Sequence, residues 1–224
     1  MPKLVPKVIL EGTRLTNKTE TAFALNELPE MVGARKYRYH SPIISAEWCG
    51  FTNQPWGRGL INYLPEEEAL ARDTYETWVS LFEQLRYYSW IVDRFHLSTM
   101  AFQIKQHGHC LDFADLEQRL NKLNFRLVFL HRSPESFERA REKRLKVSGN
   151  PSQYDDLTLF LDEQERLREL AAASSMNSLS LDVSDLSPLG AARKIAAWMK
   201  ETGGLEMDEV RHPFLPQSSS NRVG

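Results

Sequence analysis

Short apolar runs that alternate with amphipathic segments are the feature that most constrains how this chain can fold. Five runs are typical of strands and occupy 7–10, 35–44, 88–92, 125–130 and 178–183. Apolar residues recur at helical spacing between and after them, over 18–28, 66–86, 98 onward, 113–123, 134–146, 154–172 and 188–202. Strands separated by helices predict a parallel sheet covered on both faces, which is a three-layer α/β/α fold with a five-stranded sheet.

The composition is that of an ordinary globular protein. The 224 residues carry 28 Lys and Arg against 30 Asp and Glu, a formal net charge of −2, with 42% hydrophobic and 26% charged residues. These values exclude a disordered chain, collagen and a coiled coil, and the length favours one α/β domain over two. The near-zero charge disfavours bulk nucleic-acid binding but leaves a local basic groove open.

The apolar runs also bear on localisation. Each is a handful of residues long, far short of the roughly 20 that a membrane-spanning helix needs. The first residues lack the apolar block of a signal peptide. The two cysteines, Cys49 and Cys110, cannot form a disulfide scaffold or a four-ligand zinc site. We therefore expect a cytoplasmic protein with no membrane partner.

One domain is expected over 1–203, followed by a loosely ordered tail over 204–224 that contains Pro213, Pro216 and three consecutive serines. Segment 45–65 is an aromatic insert between the second strand and the next helix. The aromatic stripe of helix 66–86 belongs either in the core or in a homodimer face.

The segment GTRLTNKT at 12–19 is one residue away from the phosphate-loop pattern G-x-x-x-x-G-K-[ST]. It follows the first strand and opens the first helix, where backbone amides and a helix N-terminus can converge on an anion. In such a loop Lys18 lies against the terminal phosphates of ATP, and the Thr19 hydroxyl binds Mg²⁺. The candidate ATP ligands are therefore Gly12, Thr13, Arg14, Thr16, Asn17, Lys18 and Thr19.

The mismatch in this loop is Asn17, which replaces the second glycine. Asn is among the few non-glycine residues that tolerate a left-handed backbone, so the loop shape can persist although the side chain crowds the site. The competing interpretation is an ordinary strand–turn–helix connection with a chance Lys-Thr pair at the helix start.

Residues 93–103, DRFHLSTMAFQ, resemble the D-R-[YF]-x-x-S-x-x-A-[YF]-Q signature of thymidylate kinases. Glu11-Gly12 matches the E-G start of that family's phosphate loop. Segment 125–144 resembles its fourth strand and Arg-rich lid helix, and 154–170 resembles the segment after the lid. From about 7 to about 199, the chain is similar to a divergent member of the thymidylate kinase and deoxynucleoside kinase branch of P-loop kinases.

This resemblance implies a P-loop NTPase fold and an ATP- and Mg²⁺-dependent kinase for a nucleotide or nucleoside-like acceptor. Asp93 would hold Mg²⁺ or take the acceptor's proton, and Arg94 would bind an acceptor phosphate or orient a hydroxyl. Ser98 and Gln103 would hydrogen-bond the acceptor, Gln103 at its base. The alternative for Asp93 and Arg94 is a helix cap with a surface ion pair.

The resemblance also implies an Arg-rich helical lid over about 133–155. One or two of its arginines, such as Arg139 and Arg144, would reach the transferred phosphoryl group when the lid closes over ATP. The alternative is a solvated helix whose arginines pair with neighbouring glutamates.

The acceptor side departs from the family pattern. Thymidylate kinases carry R-E-P at the end of the second strand and deoxynucleoside kinases carry E-P, whereas this chain has His40-Ser41-Pro42. In nucleoside kinases that carboxylate takes the proton of the 5′-hydroxyl, so its loss argues against simple nucleoside phosphorylation. Glu47 or His40 could act in its place, and Trp48 could stack on a base. Core packing is the competing account of the aromatic residues.

Two other functions stay open. Asn17 in the loop and Ser41 in place of the carboxylate fit a degenerate phosphate-loop protein that binds a nucleotide or a partner without catalysis. The other is a kinase for a modified base in DNA or for a specialised metabolite, which a basic groove beside the loop would favour. Nucleic acid is otherwise not favoured as a partner.

Overall fold

The computed structural model describes residues 3–33, 40–47 and 59–208. The strands there are β1 (Lys3–Leu4), β2 (Lys7–Glu11), β3 (Ile43–Ile44), β4 (Trp90–Asp93), β5 (Arg126–His131), β6 (Ser178–Asp182) and β7 (Glu206–Met207). The α-helices are α1 (Lys18–Leu25), α2 (Pro29–Val32), α3 (Glu68–Gln84), α4 (His96–His107), α5 (Ala114–Lys122), α6 (Ser136–Leu145), α7 (Thr158–Ala173) and α8 (Pro188–Glu201). Short 3₁₀ turns precede α3 at Pro65–Glu67 and α7 at Pro151–Tyr154.

Five strands form one parallel sheet in the order β3-β4-β2-β5-β6. Side chains alternate between its faces, because successive residues of a strand point to opposite sides. Ile9 and Phe129 join one apolar cluster with residues of α3, α4, α5 and α7, whereas Leu10 and Val128 join another with residues of α1 and α8. The predicted three-layer α/β/α fold with a five-stranded parallel sheet is therefore confirmed.

Strand β2 lies at the centre of the sheet, and all five of its residues are buried. Leu10 lies opposite Asp93 of β4, and Glu11 lies opposite Phe129 of β5. The segments that leave β2 and β4 therefore start side by side at the carboxyl edge, where ligands of parallel sheets bind.

The second strand predicted from the sequence differs in its bounds from the observed strand β3. Strand β3 pairs Ile43 with Ile91 and Ile44 with Val92. Residues 40–42 precede this strand, while 34–39 lie outside the described residues. The predicted strand over 35–44 is thus wrong for 40–42. Pro42 has no N–H for the ladder, and its carbonyl accepts a 3.1 Å hydrogen bond from the Ile91 amide where β3 begins.

The C-terminal segment is held further than predicted. Strand β7 pairs antiparallel with β1, the Val5 amide donates to the Leu205 carbonyl at 2.9 Å, and Leu205 is buried. The prediction that the chain loosens at 204 is therefore wrong for 204–207. The rest of that tail, 209–224, lies outside the described residues.

Other boundaries move by a few residues. Helix α3 starts after a 3₁₀ turn and ends at Gln84, and α4 starts at His96, ahead of the predicted Ser98. Tyr75 and Phe82 of α3 are buried, so its aromatic stripe enters the core. Within the described ranges, every helix is too short or too polar to span a bilayer.

Lys7 is a charged residue at the start of β2, at the amino edge of the sheet. Its side chain is fully buried, and Nζ donates to the Arg86 carbonyl at 2.6 Å and to the Leu123 carbonyl at 3.1 Å. Burial, with a smaller repulsion from Arg86, lowers the pKa of Lys7 to about 8.

The free energy of unfolding should rise with pH above about 8, and Lys7 should cause part of the rise. Its ordinary pKa is 10.5, so in this interval the folded chain releases a proton that the unfolded chain keeps. One such group contributes at most about 1.4 kcal/mol per pH unit. Urea titrations should show a smaller increase for Lys7→Met than for the wild type between about pH 8 and 9.5.

The matched control is Lys200→Met, because Lys200 is exposed near the end of α8. Its pH slope should equal that of the wild type. Equal slopes for Lys7→Met and the wild type would contradict the assignment.

Candidate active site

The loop between β2 and α1 curls back on itself. Leu15 and Asn17 have positive φ angles of 68° and 55°, and Asn17 is left-handed with ψ 36°. The Thr16 hydroxyl donates to the Thr13 carbonyl at 2.8 Å, and the Thr21 amide donates to the Asn17 carbonyl at 2.9 Å. Asn17 thus adopts the left-handed conformation that the sequence analysis required of it, and the shape of the loop is retained.

Gly12 is held where a side chain cannot fit. Its φ is 151°, and a Cβ at this position would lie 2.4 Å from the Leu130 carbonyl oxygen of β5. The opposite side of the loop is supported by Arg132, whose Nε donates to the Leu15 carbonyl at 2.6 Å. The loop is therefore fixed between the sheet edge and the segment that follows β5.

Lys18 is buried at the start of α1, and its Nζ donates to the Thr13 carbonyl at 2.7 Å. Burial lowers the pKa of Lys18 to about 8, and repulsion from Arg94 adds to this shift. The carboxylates of Asp93 and Glu163 act in the opposite direction. A bound anion would favour the charged ammonium in the same way.

Thr19 and Asp93 meet across the carboxyl edge. The Thr19 hydroxyl donates to Asp93 Oδ2 at 2.5 Å, while Oδ1 is buried without a hydrogen-bond partner among the described residues. Hydroxyl and carboxylate oxygens suit Mg²⁺, which keeps waters and takes further ligands from phosphates. In the described ranges, no three His, Cys, Asp or Glu residues are grouped so that they could hold a metal ion. Thr19 and Asp93 suit a metal ion that is also coordinated by a bound phosphate.

Arg94 follows β4 in a left-handed conformation, with φ 64°. Its guanidinium is 6% exposed and lies 3.0 Å from Glu163 Oε1 and 3.4 Å from Glu47 Oε2. Burial disfavours this charge, but the two carboxylates outweigh it and raise the pKa of Arg94 above its ordinary value. Arg94 is therefore a permanently charged group buried at the site.

Glu163 of α7 is a site residue that the sequence analysis missed. Besides Arg94, it contacts the phosphate loop, since Thr13 Oγ1 donates to Oε2 at 2.5 Å. Burial opposes its ionisation, but Arg94 and Thr13 keep its pKa below the ordinary value. Glu163 lies three residues after the buried Phe160 and beside the buried Gln164. The sequence signal that could have identified Glu163 was a carboxylate on the inward face of a predicted helix.

Glu11 has a structural role at the same edge. Its carboxylate is fully buried and accepts hydrogen bonds from the amides of Phe95, Leu97 and Ser98 at 3.0 to 3.3 Å. The Ser98 hydroxyl also donates to it. Glu11 thereby ties the end of β2 to the first turn of α4.

Two predicted acceptor ligands, Ser98 and Gln103, have hydrogen-bond partners within the protein. Ser98 is buried and bonded to Glu11, and Gln103 is buried with its Nε2 donating to the Tyr63 carbonyl at 3.0 Å. Both lie on the core side of α4. The side of this helix that faces a cavity carries Ala101, Phe102, Lys105 and Gln106.

The two residues proposed to replace the family's carboxylate, Glu47 and His40, lie at opposite edges of the sheet. Glu47 follows the end of β3, and its carboxylate contacts Arg94 and lies 3.5 Å from Arg14. His40 precedes β3 at the other edge, where its Nε2 lies 3.1 Å from Glu27 at the surface. The prediction of His40 at the site is wrong, because 40–42 lead into the strand and do not end it. Trp48 lies outside the described residues.

An acidic residue does follow the second strand of the sheet. The strand is Ile43–Ile44, Pro42 precedes it, and Glu47 comes three residues after it.

The lid arginines lie beside the phosphate loop with protein partners of their own. Arg139 Nη2 donates to Asp185 Oδ1 at 2.6 Å, and Arg144 Nη1 donates to Glu20 Oε1 at 3.2 Å. Both line a cleft of about 900 Å³ that also contains Lys18 and other residues of the loop. A polyphosphate in this cleft would compete with exposed carboxylates for these guanidinium groups.

A smaller cavity of about 290 Å³ adjoins the cleft, and the two share Arg14, Glu47 and Arg94. The larger cleft reaches the segment before α8, and the smaller cavity reaches α4 and α7. Two ligands placed in these spaces would meet at the shared residues, next to Lys18.

Several solved structures share this fold, two of the three described here being kinases. The YorR protein from Bacillus subtilis, determined in complex with phosphorylated GDP, is 21% identical over 88% of this chain and 96% of its own, with a TM-score of 0.55. Thymidylate kinase from Candida albicans is 14% identical over 92% and 96%, with a TM-score of 0.55. A sugar kinase from Janibacter is 10% identical over 88% and 95%, with a TM-score of 0.50.

A scan of protein-family profiles and a search of curated proteins both found no match. At these identities the structural likeness concerns the fold. The likeness confirms the predicted three-layer α/β/α fold, which this chain shares with these proteins.

Gly12→Ala should destabilise the protein and distort the phosphate loop, since the added methyl group meets the Leu130 carbonyl in a backbone conformation that favours glycine. We expect the free energy of unfolding to fall by at least about 2 kcal/mol in urea denaturation. Gly149→Ala is the matched control, because its Cβ position is open. Equal stability of the two variants would contradict the described loop.

Proposed function

We propose that this chain, which has the fold of P-loop kinases, transfers the γ-phosphoryl group of ATP to a nucleotide or nucleoside-like acceptor in a Mg²⁺-dependent reaction. The observation that carries the proposal is the contact of the Thr19 hydroxyl with Asp93, 2.5 Å apart, beside a curled loop and the buried Lys18. These are the parts that a phosphate loop needs. The similarity in fold to a thymidylate kinase and a sugar kinase supports the same class of reaction.

Charge in the larger cleft supports ATP as the donor. Phosphoryl transfer requires positioning and neutralisation of the developing charge more than covalent help from the protein. Lys18 and the loop amides would bind the phosphates. Arg139 and Arg144 would exchange their carboxylate partners for phosphate oxygens as ATP enters. Guanidinium groups suit this exchange, because their planar donors match phosphate geometry.

Thr19 and Asp93 would hold the metal ion. Bound Mg²⁺ would supply charge neutralisation at the phosphates. Asp93 Oδ1 supports this assignment, since it is buried without a hydrogen-bond partner among the described residues and a cation would recover the free energy that this costs.

Binding without catalysis is the second candidate, and Asn17 is the observation that favours it. Among the described residues its side chain makes no capping hydrogen bond, and Asn17 is half-buried and lines the larger cleft. Calorimetry with ATP and Mg²⁺, beside an acceptor screen with labelled ATP, separates the two: tight binding without transfer to any acceptor would favour the second.

Lys18→Met should abolish phosphoryl transfer while the protein stays folded. Removing the ammonium leaves the phosphates without their buried cation, and we expect activity to fall by at least about 100-fold. The stability should not decrease much, because the wild type bears the cost of burying this charge. Transfer from labelled ATP and the circular dichroism spectrum are the measurements. Lys200→Met is the matched control, and retained transfer in Lys18→Met would overturn the role.

Asp93→Asn should raise the Mg²⁺ concentration that gives half-maximal ATP binding, by roughly tenfold or more, because one anionic oxygen ligand is lost. Calorimetric titrations of ATP at a series of Mg²⁺ concentrations measure this shift. Asp182→Asn serves as the control, since Asp182 ends β6 and bonds to Ser184 outside the loop. An unchanged Mg²⁺ dependence of Asp93→Asn would remove Asp93 from the metal site.

A further inference from the structure

Arg132 is a buried cation of the larger cleft. It directly follows β5, so it lies at the carboxyl edge of the sheet, and the phosphate loop that leaves β2 separates it from Asp93 at the end of β4. Its exposed fraction is only 6%, yet it lines the cleft together with Lys18 and Arg139. A charge in this position needs a physical account.

The backbone of Arg132 is fixed by Gln164 of α7. The Arg132 amide donates to Gln164 Oε1 at 2.8 Å, and Gln164 Nε2 donates to the Arg132 carbonyl at 2.8 Å. Both residues are buried. Reciprocal hydrogen bonds in a buried place rigidify the groups that form them. The point from which the guanidinium extends is therefore rigid.

The guanidinium of Arg132 bridges two segments of the cleft wall. Nε donates to the Leu15 carbonyl at 2.6 Å, and Nη1 donates to the Ser184 carbonyl at 3.2 Å. Leu15 belongs to the phosphate loop, and Ser184 lies between β6 and α8. Nη2 donates no hydrogen bond to any described residue. Two nitrogens thus hold the group in place, and the third is available to a ligand.

Both partners of the Arg132 side chain are neutral. Burial lowers the pKa of Arg132, and repulsion from Arg139 adds to this shift. Asp182 and Asp185 act in the opposite direction, but neither forms an ion pair with Arg132 within the described residues. An arginine keeps its charge at neutral pH even so. A buried charge without an ionic partner is costly, and an anionic ligand would recover part of this cost.

Arg139 of α6 converges on the same carbonyl. Arg139 Nη2 donates to the Ser184 oxygen at 2.8 Å, beside the contact from Arg132. Two guanidinium groups that share one neutral acceptor repel each other, and an anion that contacts both would relieve this repulsion. Phosphate oxygens suit the planar donors of arginine. Arg139 also pairs with Asp185, so Arg132 is the less compensated of the two.

We propose that Arg132 is a further ligand of the donor nucleotide, with Nη2 donating to a phosphate oxygen in the larger cleft while Nε and Nη1 keep their carbonyl partners. This inference rests on the proposed kinase function and adds a cation that the phosphate-loop motif does not contain. Lys18 would bind the phosphates from the start of α1, and Arg132 from the end of β5. Through the Leu15 carbonyl, Arg132 would also link the loop to the bound phosphate.

A purely structural brace is the competing account, since the two carbonyl contacts would hold the phosphate loop in place even with no ligand bound. The two accounts differ in what the positive charge does. A ligand of the phosphates contributes through its charge, whereas a brace contributes through the fork that bridges the Leu15 and Ser184 carbonyls.

The test compares Arg132→Gln with Arg132→Lys. Both substitutions remove the planar fork, but only Lys keeps a positive charge. We expect the dissociation constant for ATP with Mg²⁺, measured by calorimetry, to rise at least about tenfold in Arg132→Gln, because a charge-assisted hydrogen bond is lost. Arg132→Lys should bind ATP at least about threefold more tightly than Arg132→Gln. Equal ATP affinities of the two variants would overturn the inference.

Inorganic tripolyphosphate tests whether the contact is made with the phosphates. Its affinity should fall in Arg132→Gln by about the same factor as that of ATP, and an unchanged affinity would overturn the inference. Arg168→Gln is the matched control. Arg168 is an arginine of α7 that pairs with Glu165 and lines neither the cleft nor the smaller cavity, so this variant should bind ATP as the wild type does.

Urea denaturation without nucleotide checks that each variant folds. If Arg132→Gln does not fold, the side-chain ¹⁵N NMR signals of the wild type decide, with those of Arg132 assigned by comparison with Arg132→Lys. They should shift when tripolyphosphate binds, and unchanged signals would overturn the inference.

The outcomes for the inference and for the proposed function are separable. ATP binding that depends on the charge of Arg132, without transfer to any acceptor, would support the inference and count against the proposed function. Transfer by a wild type whose ATP affinity does not depend on that charge would do the reverse. Failure of the wild type to bind ATP or tripolyphosphate would overturn both.

Discussion

The carboxylate of Glu11 holds together the parts on which this site depends. It is fully buried and accepts from three backbone amides and one hydroxyl at the start of α4. A carboxylate can be buried at low cost when several donors replace its water. Because Glu11 ends β2 and precedes Gly12, the same interaction orients the phosphate loop against the segment that carries Asp93 and Arg94. An apolar residue there would leave the amides unpaired.

Electrostatics at the carboxyl edge follow one rule, that buried charges occur in compensated groups. Arg94 is stabilised by two carboxylates, and Glu163 is stabilised by Arg94 and Thr13. Lys18 and Arg132 depart from this rule, since both donate to neutral carbonyls and burial lowers the pKa of each, that of Lys18 to about 8. A site whose cations are under-compensated is prepared for an anionic ligand.

Asn17 shows how a motif can lose a residue and keep its geometry. The left-handed conformation is what the loop requires, and Asn supplies it at a modest cost relative to Gly. Gly12 has no such substitute, because the constraint there is contact with the β5 backbone as well as φ. The two glycine positions of the phosphate-loop pattern thus meet different structural requirements, a close backbone contact at the first and a left-handed conformation at the second. Only the first position is indispensable to the fold of this chain.

The layered sheet, the phosphate loop and the Asp-Arg pair at the end of β4 could all be predicted from the sequence, since each depends on local periodicity or on a contiguous motif. It placed Lys18, Thr19, Asp93, Arg94 and Glu47 among the candidates, and the structure brings them together. Ser98 and Gln103 lie on the core side of α4 and His40 precedes its strand, because a motif states which residues occur but not which side of a helix or end of a strand they occupy. The start of β3 and the contact of Glu163 with Arg94 depend on tertiary structure. Strand pairing and the packing of helices distant in sequence set which carboxylates reach Arg94, and no local pattern encodes those contacts.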